Sequence, residues 1–519
     1  MTEISVYPTV ADVSDLLGSA VVATRDGIPV LGSLIAGRGI PPEQEMEPRI
    51  SPATGTTLFY GGSATDADVD DAVAVARRAF DEGPWGRATG RERAKVLSRA
   101  ASLLEERAEK FANLLVLEAG KPIREARGEV AATVNAFEYF AGLARDINGR
   151  TTRDISKDLL ALTLREPAGV AGLIIPWNFP LAILGQKLPP ALAAGCSVVA
   201  KPSELTPLST IAASVLLYEA GLPPGALNVV VAGGAAGASL VQHVGTDVIS
   251  FTGSTTTGRR IAASAGSLRL KRVAMEAGGK TPVIVTANAD LDQAVEGLLF
   301  ASFFNQGQVC VAGSRILAHR SIADELSSRV ADGARSIRLG DPYDPATEMG
   351  PLVSRNHYDG VLAGIGQAVD QGAHLIAGGE GAAVAGTRAA PFLAPTVLWS
   401  DQDTNHGVRE ELFGPVTVVQ PFDSLDEVVH RANDSAFGLA ASVWSRDLDE
   451  ALTLTTALRT GTVWINGSTD AFPEIPLGGR RDSGYNAEFG REGMEFFTDL
   501  KTVQIRRSVA AAWYGNWSR

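Results

Sequence analysis

The sequence is poor in cysteine, with only Cys196 and Cys310 among 519 residues. Two thiols cannot form a disulfide framework in a chain of this length. The six histidines are scattered without the short spacing of metal ligands, so we predict no metal site. No apolar run reaches about 18 residues, and the first residues carry acids rather than a basic leader. We therefore expect a cytoplasmic protein without membrane contact.

Positive charge is also in deficit, because 46 Lys and Arg face 59 Asp and Glu and leave a net charge of −13. An acidic chain repels phosphate backbones, so we expect no nucleic-acid partner. The hydrophobic fraction of 45% is typical of a globular protein, and 519 residues exceed one ordinary core. Two or more domains are predicted.

The spacing of apolar residues predicts helices over residues 66–144, where Asp66 and Asp68 suit a helix start. Residues 159–165 alternate like a strand at an edge or an interface. From residue 169, short apolar strands alternate with helices, which indicates a parallel sheet covered on both faces. A second series of this kind begins near Thr281. We predict an α/β fold of two closely packed lobes.

Polar residues follow several of these strands, where ligands of parallel sheets bind. Asn178 is placed either to donate to a developing oxyanion or to form a turn. Lys201 and Glu204 suit the hydroxyls of a ribose, although most such residues are simply solvated. Residues 233–237 and Ser254 precede helices, and they form either a pyrophosphate site or ordinary turns.

Two further residues are candidates for covalent chemistry. Glu276 is either a general base in an apolar site or a salt-bridged carboxylate. Cys310 is either a small buried hydrophobe or a nucleophile, which would need a lowered pKa or a neighbouring base. Cys196 lies in an apolar turn between a helix and a strand, and we assign it no chemistry.

Eight motifs that follow one another along the chain favour the functional role over the structural one for these residues. They are PWNFP (176–180), KPSE (201–204), FTGS (251–254), EAGGK (276–280), FNQGQVCVAGSR (304–315), EELFGPV (410–416), GTVWIN (461–466) and PLGG (476–479). Together they resemble the NAD(P)-dependent aldehyde dehydrogenase superfamily, of the hydrolytic, non-acylating type, over residues 50–503. The resemblance implies a Rossmann-type parallel-sheet cofactor domain, an α/β catalytic domain and a small oligomerisation hairpin.

The domain boundaries expected from this resemblance divide the chain into five parts. They are an N-terminal extension (1–30), a NAD-binding domain (31–148 and 169–275), a catalytic domain (276–475), oligomerisation elements (149–168 and 485–506) and a tail (507–519). The hairpin and the C-terminal strand imply a homodimer or a homotetramer.

The resemblance also implies roles for the catalytic residues. Cys310 attacks the aldehyde carbon, and Asn178 with the Cys310 backbone N–H stabilises the oxyanion. Loss of hydride to the cofactor leaves a thioester, which a water activated by Glu276 hydrolyses. Relatives that pass the acyl group to coenzyme A typically lack this glutamate, so its presence favours release of a free carboxylate.

A larger set is implied to bind the cofactor, in which Lys201 and Glu204 hold one ribose and Glu411 the other. Glu204 favours NAD because it repels a 2′-phosphate, although NADP stays possible. The full set is Ile175, Pro176, Trp177, Lys201, Ser203, Glu204, Gly233, Gly237, Phe251, Gly253, Ser254, Glu411 and Phe413. The sequence departs from the family at Asn486 and Ala487, where glycine and arginine are common, which puts subunit contacts or the substrate mouth in question.

The substrate is expected to be a small-molecule aldehyde. The implied pocket residues are mostly apolar and favour an aromatic or aliphatic aldehyde; they are Trp177, Leu181, Phe304, Val309, Val311 and Phe472. Asp470 and Glu474 favour an amino-aldehyde instead, and a semialdehyde is a further alternative. Two other functions stay open, an inactive family member that acts as a binding protein and an acyltransferase that uses the same thiol.

Overall fold

The computed structural model describes residues 9–43, 45–384 and 390–507. Most of the predicted tail therefore lies outside the described residues, as do the first eight residues of the predicted extension. No helix among the described residues is long and apolar enough to cross a bilayer. Within the same ranges, no group of three or more His, Cys, Asp and Glu is arranged to hold a metal ion.

Strands and helices alternate along most of the chain. The strands are β1 (Val21–Arg25), β2 (Ile28–Leu31), β3 (Ser33–Ile35), β4 (Arg38–Ile40), β5 (Glu45–Ile50), β6 (Thr57–Gly62), β7 (Arg150–Ser156), β8 (Leu159–Pro167), β9 (Val170–Ile175), β10 (Ser197–Pro202), β11 (Leu227–Val229), β12 (Val248–Thr252), β13 (Arg272–Glu276), β14 (Pro282–Val285), β15 (Arg315–His319), β16 (His374–Ala377), β17 (Thr396–Trp399), β18 (Val416–Phe422), β19 (Ala440–Trp444), β20 (Thr462–Ile465), β21 (Gly484–Tyr485) and β22 (Thr498–Arg506).

The helices are α1 (Asp66–Asp81), α2 (Gly90–Glu106), α3 (Ala108–Ala119), α4 (Ile123–Leu143), α5 (Pro180–Ala194), α6 (Leu208–Glu219), α7 (Gly234–Gln242), α8 (Thr255–Ser264), α9 (Leu291–Phe303), α10 (Arg320–Ser336), α11 (Arg355–Asp370), α12 (His406–Arg409), α13 (Leu425–Asn433), α14 (Leu448–Ala457) and α15 (Gly490–Glu495). Helix α1 begins as predicted, because Thr65 and Asp68 form a capping box at its start.

An eight-stranded sheet in the order β21-β13-β12-β9-β10-β11-β3-β4 forms the first lobe. Its central strands, from β13 to β11, are parallel. Val198 packs among the helices α2–α6, whereas its neighbour Val199 packs with α1 and α7 on the opposite face. The prediction of a parallel sheet covered on both faces is confirmed.

A seven-stranded sheet in the order β16-β17-β18-β15-β14-β19-β20 forms the second lobe. It is parallel except at β16. Val283 and Val285 pack with α9 and α10, and Ile284 packs with α13 and α14 on the other face. The chain returns from this lobe to the first one, where β21 pairs with β13 at the edge of the eight-stranded sheet.

Two smaller sheets lie outside the lobes. The strand predicted at 159–165 is β8, which pairs with β7 and β22 in an antiparallel sheet. The other small sheet has the order β1-β2-β6-β5.

The N-terminal segment, predicted to be an extension, packs against the first lobe. The side chains of Val10, Leu16 and Leu17 are buried in the core that α3 and α6 help to form. The predicted boundary between residues 30 and 31 falls inside β2. Because apolar periodicity is weak in short 3₁₀ turns and three-residue strands, this packing could not be predicted from local patterns.

Candidate active site

A cavity of about 1180 Å³ opens between the helices α4 and α5 of the first lobe and the helix α9 of the second. Cys310 and Glu276 both line it, although they are carried by different lobes. The rest of its wall is mostly apolar, with Phe179, Ile183, Phe300, Phe304, Val309, Val311, Leu439 and Phe472 among its residues. A thiol and a carboxylate therefore share one apolar chamber.

The loop before Cys310 has an unusual backbone. Asn305, Gln306 and Gly307 have φ of 50°, 59° and 67°, three left-handed residues in succession. A Cβ on Gly307 would lie 2.1 Å from the Gly414 carbonyl oxygen, so only glycine fits. The Gln308 side chain donates to the Asn305 carbonyl and accepts from the Val353 N–H. The position of Cys310 is thus fixed by buried amides.

Asn178 lies directly behind this loop, in the turn between β9 and α5. Its Nδ2 donates to the Gln308 carbonyl at 2.9 Å. Because an NH₂ group has two hydrogens, one is left for a second acceptor. The Asn178 backbone carbonyl accepts from the Asn305 amide at 3.1 Å and from the Lys121 ammonium at 2.9 Å. The turn is held from both sides.

Glu276 ends β13 and is only 8% exposed. Its Oε1 is buried without a hydrogen-bond partner among the described residues. Burial, and next the negative charge of Glu488, raise the pKa of this carboxyl well above its usual range, while the Lys187 ammonium opposes the shift. A buried carboxyl with a raised pKa and one oxygen without a partner is suited to accept a proton.

Lys187 and Glu488 form a buried ion pair that the sequence reasoning missed. The Lys187 ammonium also donates to the Ser250 hydroxyl at 2.9 Å, and Glu488 lines the cavity. A lone lysine inside the apolar helix α5 was the available signal, because such a residue needs a buried partner.

The Cys310 thiol is protonated in this setting. Burial, and next the charges of Glu411 and Glu276, raise its pKa to about 12. A thiol of this kind attacks only when a base takes its proton or a positive charge lies beside it.

The departure at Asn486 has a structural explanation. Its φ is 68°, a conformation that glycine and asparagine adopt most readily. The Asn486 Nδ2 donates to the Val273 carbonyl at 2.8 Å, which ties this segment to β13 close to Glu276. No contact in the structure explains the departure at Ala487.

Several residues predicted to bind the cofactor lie at the carboxyl ends of the first lobe's parallel strands. The end of β10 presents Lys201, Ser203 and Glu204, with the Lys201 ammonium 3.7 Å from the Glu204 carboxylate. Burial lowers the pKa of Lys201. Ile175 ends β9, Phe251 lies in β12, and Pro176 and Gly253 follow these two strands.

Two helices, α7 and α8, follow strands of this sheet. A Cβ on Gly233, at the start of α7, would have no heavy atom within 4 Å, and one on Gly237 would be 3.6 Å from the Lys201 side chain. Ser254 caps α8 and is exposed. Small residues at helix starts leave backbone N–H groups accessible to an anion.

Glu411 and Phe413 lie in the loop between α12 and β18. Glu411 accepts from the Gly279 N–H at 2.9 Å, and burial raises its pKa to about 7. Trp177 packs edge-on against Phe413 with ring centroids 5.3 Å apart. His357 donates from Nε2 to the Phe413 carbonyl at 2.8 Å, a contact that the sequence did not suggest.

The predicted pocket residues divide into two groups. Phe304, Val309, Val311 and Phe472 line the cavity. Trp177 and Leu181 are absent from the described lining, which corrects their expected position. Trp177 faces Phe413, and Leu181 is fully buried in the first turn of α5 within the core.

Comparisons with known proteins agree on one family. Residues 40–503 match a family model described as aldehyde dehydrogenase family. Human retinal dehydrogenase 2 is 42% identical over 462 residues, which are 88% of this chain and 88% of that protein. Mitochondrial benzaldehyde dehydrogenase of Antirrhinum majus is 42% identical over 458 residues, 88% of this chain and 85% of that one. The crystal structure of an NAD-dependent aldehyde dehydrogenase from Sinorhizobium meliloti superposes with a TM-score of 0.91 at 39% identity, covering 94% and 97% of the two chains.

Proposed function

The chain belongs to the aldehyde dehydrogenase family, and on that premise we propose that it oxidises an aldehyde to a carboxylic acid with NAD. The observation that carries the proposal is the joint placement of Cys310 and the Glu276 carboxyl, whose Oε1 has no partner among the described residues, on the wall of one mostly apolar cavity. A nucleophile and a base at one site suit formation and hydrolysis of a thioester. The buried Asn178 amide supports the assignment of an oxyanion donor.

The first step is addition of the Cys310 sulfur to the aldehyde carbon. A carbon–sulfur bond forms, the carbonyl π pair moves to oxygen, and a thiohemiacetal alkoxide results. The free N–H of Asn178 and the Cys310 backbone N–H donate to this oxygen. Each such donor lowers the barrier by about 3–4 kcal/mol. The carbon then loses its hydrogen as hydride, which leaves a thioester.

Activation of the thiol requires its pKa to fall from about 12. Bound NAD supplies the hydride acceptor and a positive charge. A positive charge supplied near Cys310 would offset the effect of the Glu411 and Glu276 carboxylates and favour the thiolate. The thiol proton passes to water, so the Glu276 carboxylate stays free to act in the hydrolysis step.

Hydrolysis follows at the same carbon. Glu276 removes a proton from water, the hydroxide attacks the thioester, and the carbon–sulfur bond breaks to return the thiolate. One aldehyde, one water and one NAD⁺ give one carboxylate, one NADH and two protons. The buried pair of Lys187 and Glu488 lies beside Glu276 and supports its change of charge.

The residues at the carboxyl ends of β9, β10 and β12 suit a dinucleotide. Lys201 and Glu204 would hold the adenosine ribose, and Glu411 the nicotinamide ribose. The open space at Gly233 and the cap at Ser254 would receive the pyrophosphate. Glu204 repels a 2′-phosphate, so we propose NAD rather than NADP as the preferred cofactor.

The cavity favours a flat apolar aldehyde, aromatic or conjugated. Phe300, Phe304 and Phe179 form a row, with ring centroids 4.9 Å and 5.9 Å apart, that leads inward from the half-exposed Phe300. Such a row stacks on planar apolar groups. The names of the two relatives, which refer to retinal and benzaldehyde, agree with this substrate class. Glu296 and Glu348 on the wall make a cationic amino-aldehyde the second candidate and disfavour a carboxylate-bearing semialdehyde.

A panel of aldehydes tests this proposal. Benzaldehyde, a long aliphatic aldehyde, an amino-aldehyde and a semialdehyde are each offered with NAD or NADP, and reduced cofactor is followed by absorbance. We expect the highest kcat/KM with benzaldehyde and NAD, and no activity in Cys310→Ala. The proposal would be contradicted if the folded wild-type protein reduced neither NAD nor NADP with any of these aldehydes.

A further inference from the structure

A second buried ion pair lies beside Asn178. Lys121 is fully buried and pairs with Glu129, which is almost as buried. The Lys121 ammonium also donates to the Asn178 carbonyl at 2.9 Å and lies 4.2 Å from the centre of the Phe179 ring. One cation therefore contacts both residues of the turn that presents the oxyanion donor.

Glu129 holds the next part of the same segment. Its Oε1 accepts from the backbone N–H groups of Leu181 and Ala182, both at 3.0 Å. These are unpaired donors of the first turn of α5, where a carboxylate also complements the helix dipole. The pair thus fixes the segment 178–182 at its carbonyl and at its N–H groups.

A buried ion pair is a weak source of stability, because desolvation offsets much of its attraction. Its effect here is on geometry, since the carbonyl of Asn178 receives Lys121 from one side and the Asn305 amide from the other. We propose that Lys121 and Glu129 are positioning residues that aim the Asn178 amide at the oxygen of the attacked carbonyl. The inference rests on the proposed function of Cys310 and Asn178.

Two reagents separate this role from a purely structural one. A nitrophenyl ester acylates Cys310 by forming the carbon–sulfur bond, passing through an oxyanion and expelling nitrophenolate. Iodoacetamide alkylates the same sulfur by displacing iodide, and no oxyanion forms. Both reactions need the thiolate, so a change in thiol pKa moves both rates together. Cys196 is fully buried, and the alkylated Cys310 peptide is followed by mass spectrometry.

The variants are Lys121→Met, Glu129→Gln and the double substitution, which removes both charges together. We expect the nitrophenolate burst rate to fall about 10- to 100-fold, the scale of a donor displaced by about 1 Å. Alkylation should stay within about twofold, because it needs no oxyanion donor. When Asn178→Ala is already present, Lys121→Met should cause no further fall in the nitrophenolate burst rate.

Glu118→Gln is the matched control. Glu118 is a buried carboxylate at the end of α3 that accepts from Leu208 and Ser209 at the start of α6, and it does not contact Asn178. We expect its ratio of acylation to alkylation to equal that of the wild type.

Each outcome decides one claim. If the three variants lower the rates of acylation and alkylation by the same factor, the positioning role is wrong. It is also wrong if they lower neither rate. If Lys121→Met does not fold, Glu129→Gln and the double substitution carry the same comparison. Failure of the wild-type Cys310 to react with the ester would instead refute the proposed nucleophile.

Discussion

Single residues at this site combine burial with charge in a way that sets their protonation. Cys310 and Glu276 are both surrounded by apolar wall, and both have raised pKa values. Each therefore rests in its neutral form more readily than in water. The proposed reaction therefore requires that Cys310 become a thiolate and Glu276 a carboxylate.

The hydrolysis step should speed up as pH rises. Because the pKa of Glu276 is raised, its basic form is present above that raised value and lost below it. Below it, we expect the rate of hydrolysis of a preformed Cys310 thioester to rise about tenfold per pH unit. Glu276→Gln should be slow and flat over the same range. A wild-type rate that is constant with pH would contradict the assignment of the base.

At this scale, the sequence pointed to residues that sit in dense motifs. The motifs named Cys310 and Glu276, whose joint placement in one cavity needed the structure. The pair Lys187 and Glu488 was missed because its members are separated by 301 positions. Leu181 was misplaced because adjacent residues of a helix start face different sides.

The nucleophile loop is the element on which the site depends. Three successive left-handed residues cannot be inferred from apolar periodicity, which reports regular helices and strands. By contrast, the strands β9, β10 and β12 and the helix α5 were predictable, because short apolar runs alternate there with longer amphipathic or apolar ones.

Gly307→Ala should damage this loop. The added Cβ would meet the Gly414 carbonyl oxygen at 2.1 Å in a left-handed conformation. Strain of about 1–3 kcal/mol, or a shift of the loop, is expected. We predict a lower thermal midpoint and a large loss of the ester burst.

Gly142→Ala is the matched control. Gly142 lies inside α4, and its added Cβ would have no heavy atom within 4 Å. Alanine in a helix is favoured over glycine by about 0.5–1 kcal/mol. The midpoint should therefore rise slightly and activity should not change. If Gly307→Ala and Gly142→Ala had the same thermal midpoint and the same ester burst, the proposed role of the Gly307 conformation would be wrong.

The whole molecule places its chemistry between lobes, and one of its small sheets carries exposed apolar side chains. In the sheet of β22, β8 and β7, Leu164 and Ile505 are exposed on one face and Leu500 on the other. Exposed apolar surface is common at interaction sites. We propose that it joins copies of this chain in a homodimer or homotetramer, in agreement with the expected oligomerisation elements.

Leu500→Asp should weaken that assembly. Leu500 is 63% exposed in this chain, and a carboxylate there would be buried against another copy. The control is Leu448→Asp, because Leu448 on α14 is 65% exposed and lies outside this sheet. Light scattering should show a smaller mass for Leu500→Asp only. A monomeric wild type, or no effect of Leu500→Asp, would contradict the proposed interface.

At this scale the sequence predicted the two-lobed α/β architecture, whereas contacts between distant segments were less accessible. The pairing of β21 with β13 and the packing of residues 10–20 depend on chain ends that return to the first lobe. Local patterns carry no record of such long-range pairing. The domain boundaries stay predictions.

The formation and hydrolysis of a thioester on Cys310 is the central claim, and a rapid-mixing measurement of Glu276→Gln tests it most directly. The variant is mixed with benzaldehyde and NAD, and the protein is then weighed intact by mass spectrometry. We predict one burst of NADH per active site, little turnover and an added benzoyl mass on the Cys310 peptide. Steady turnover close to that of the wild type, without acylated Cys310, would contradict the account.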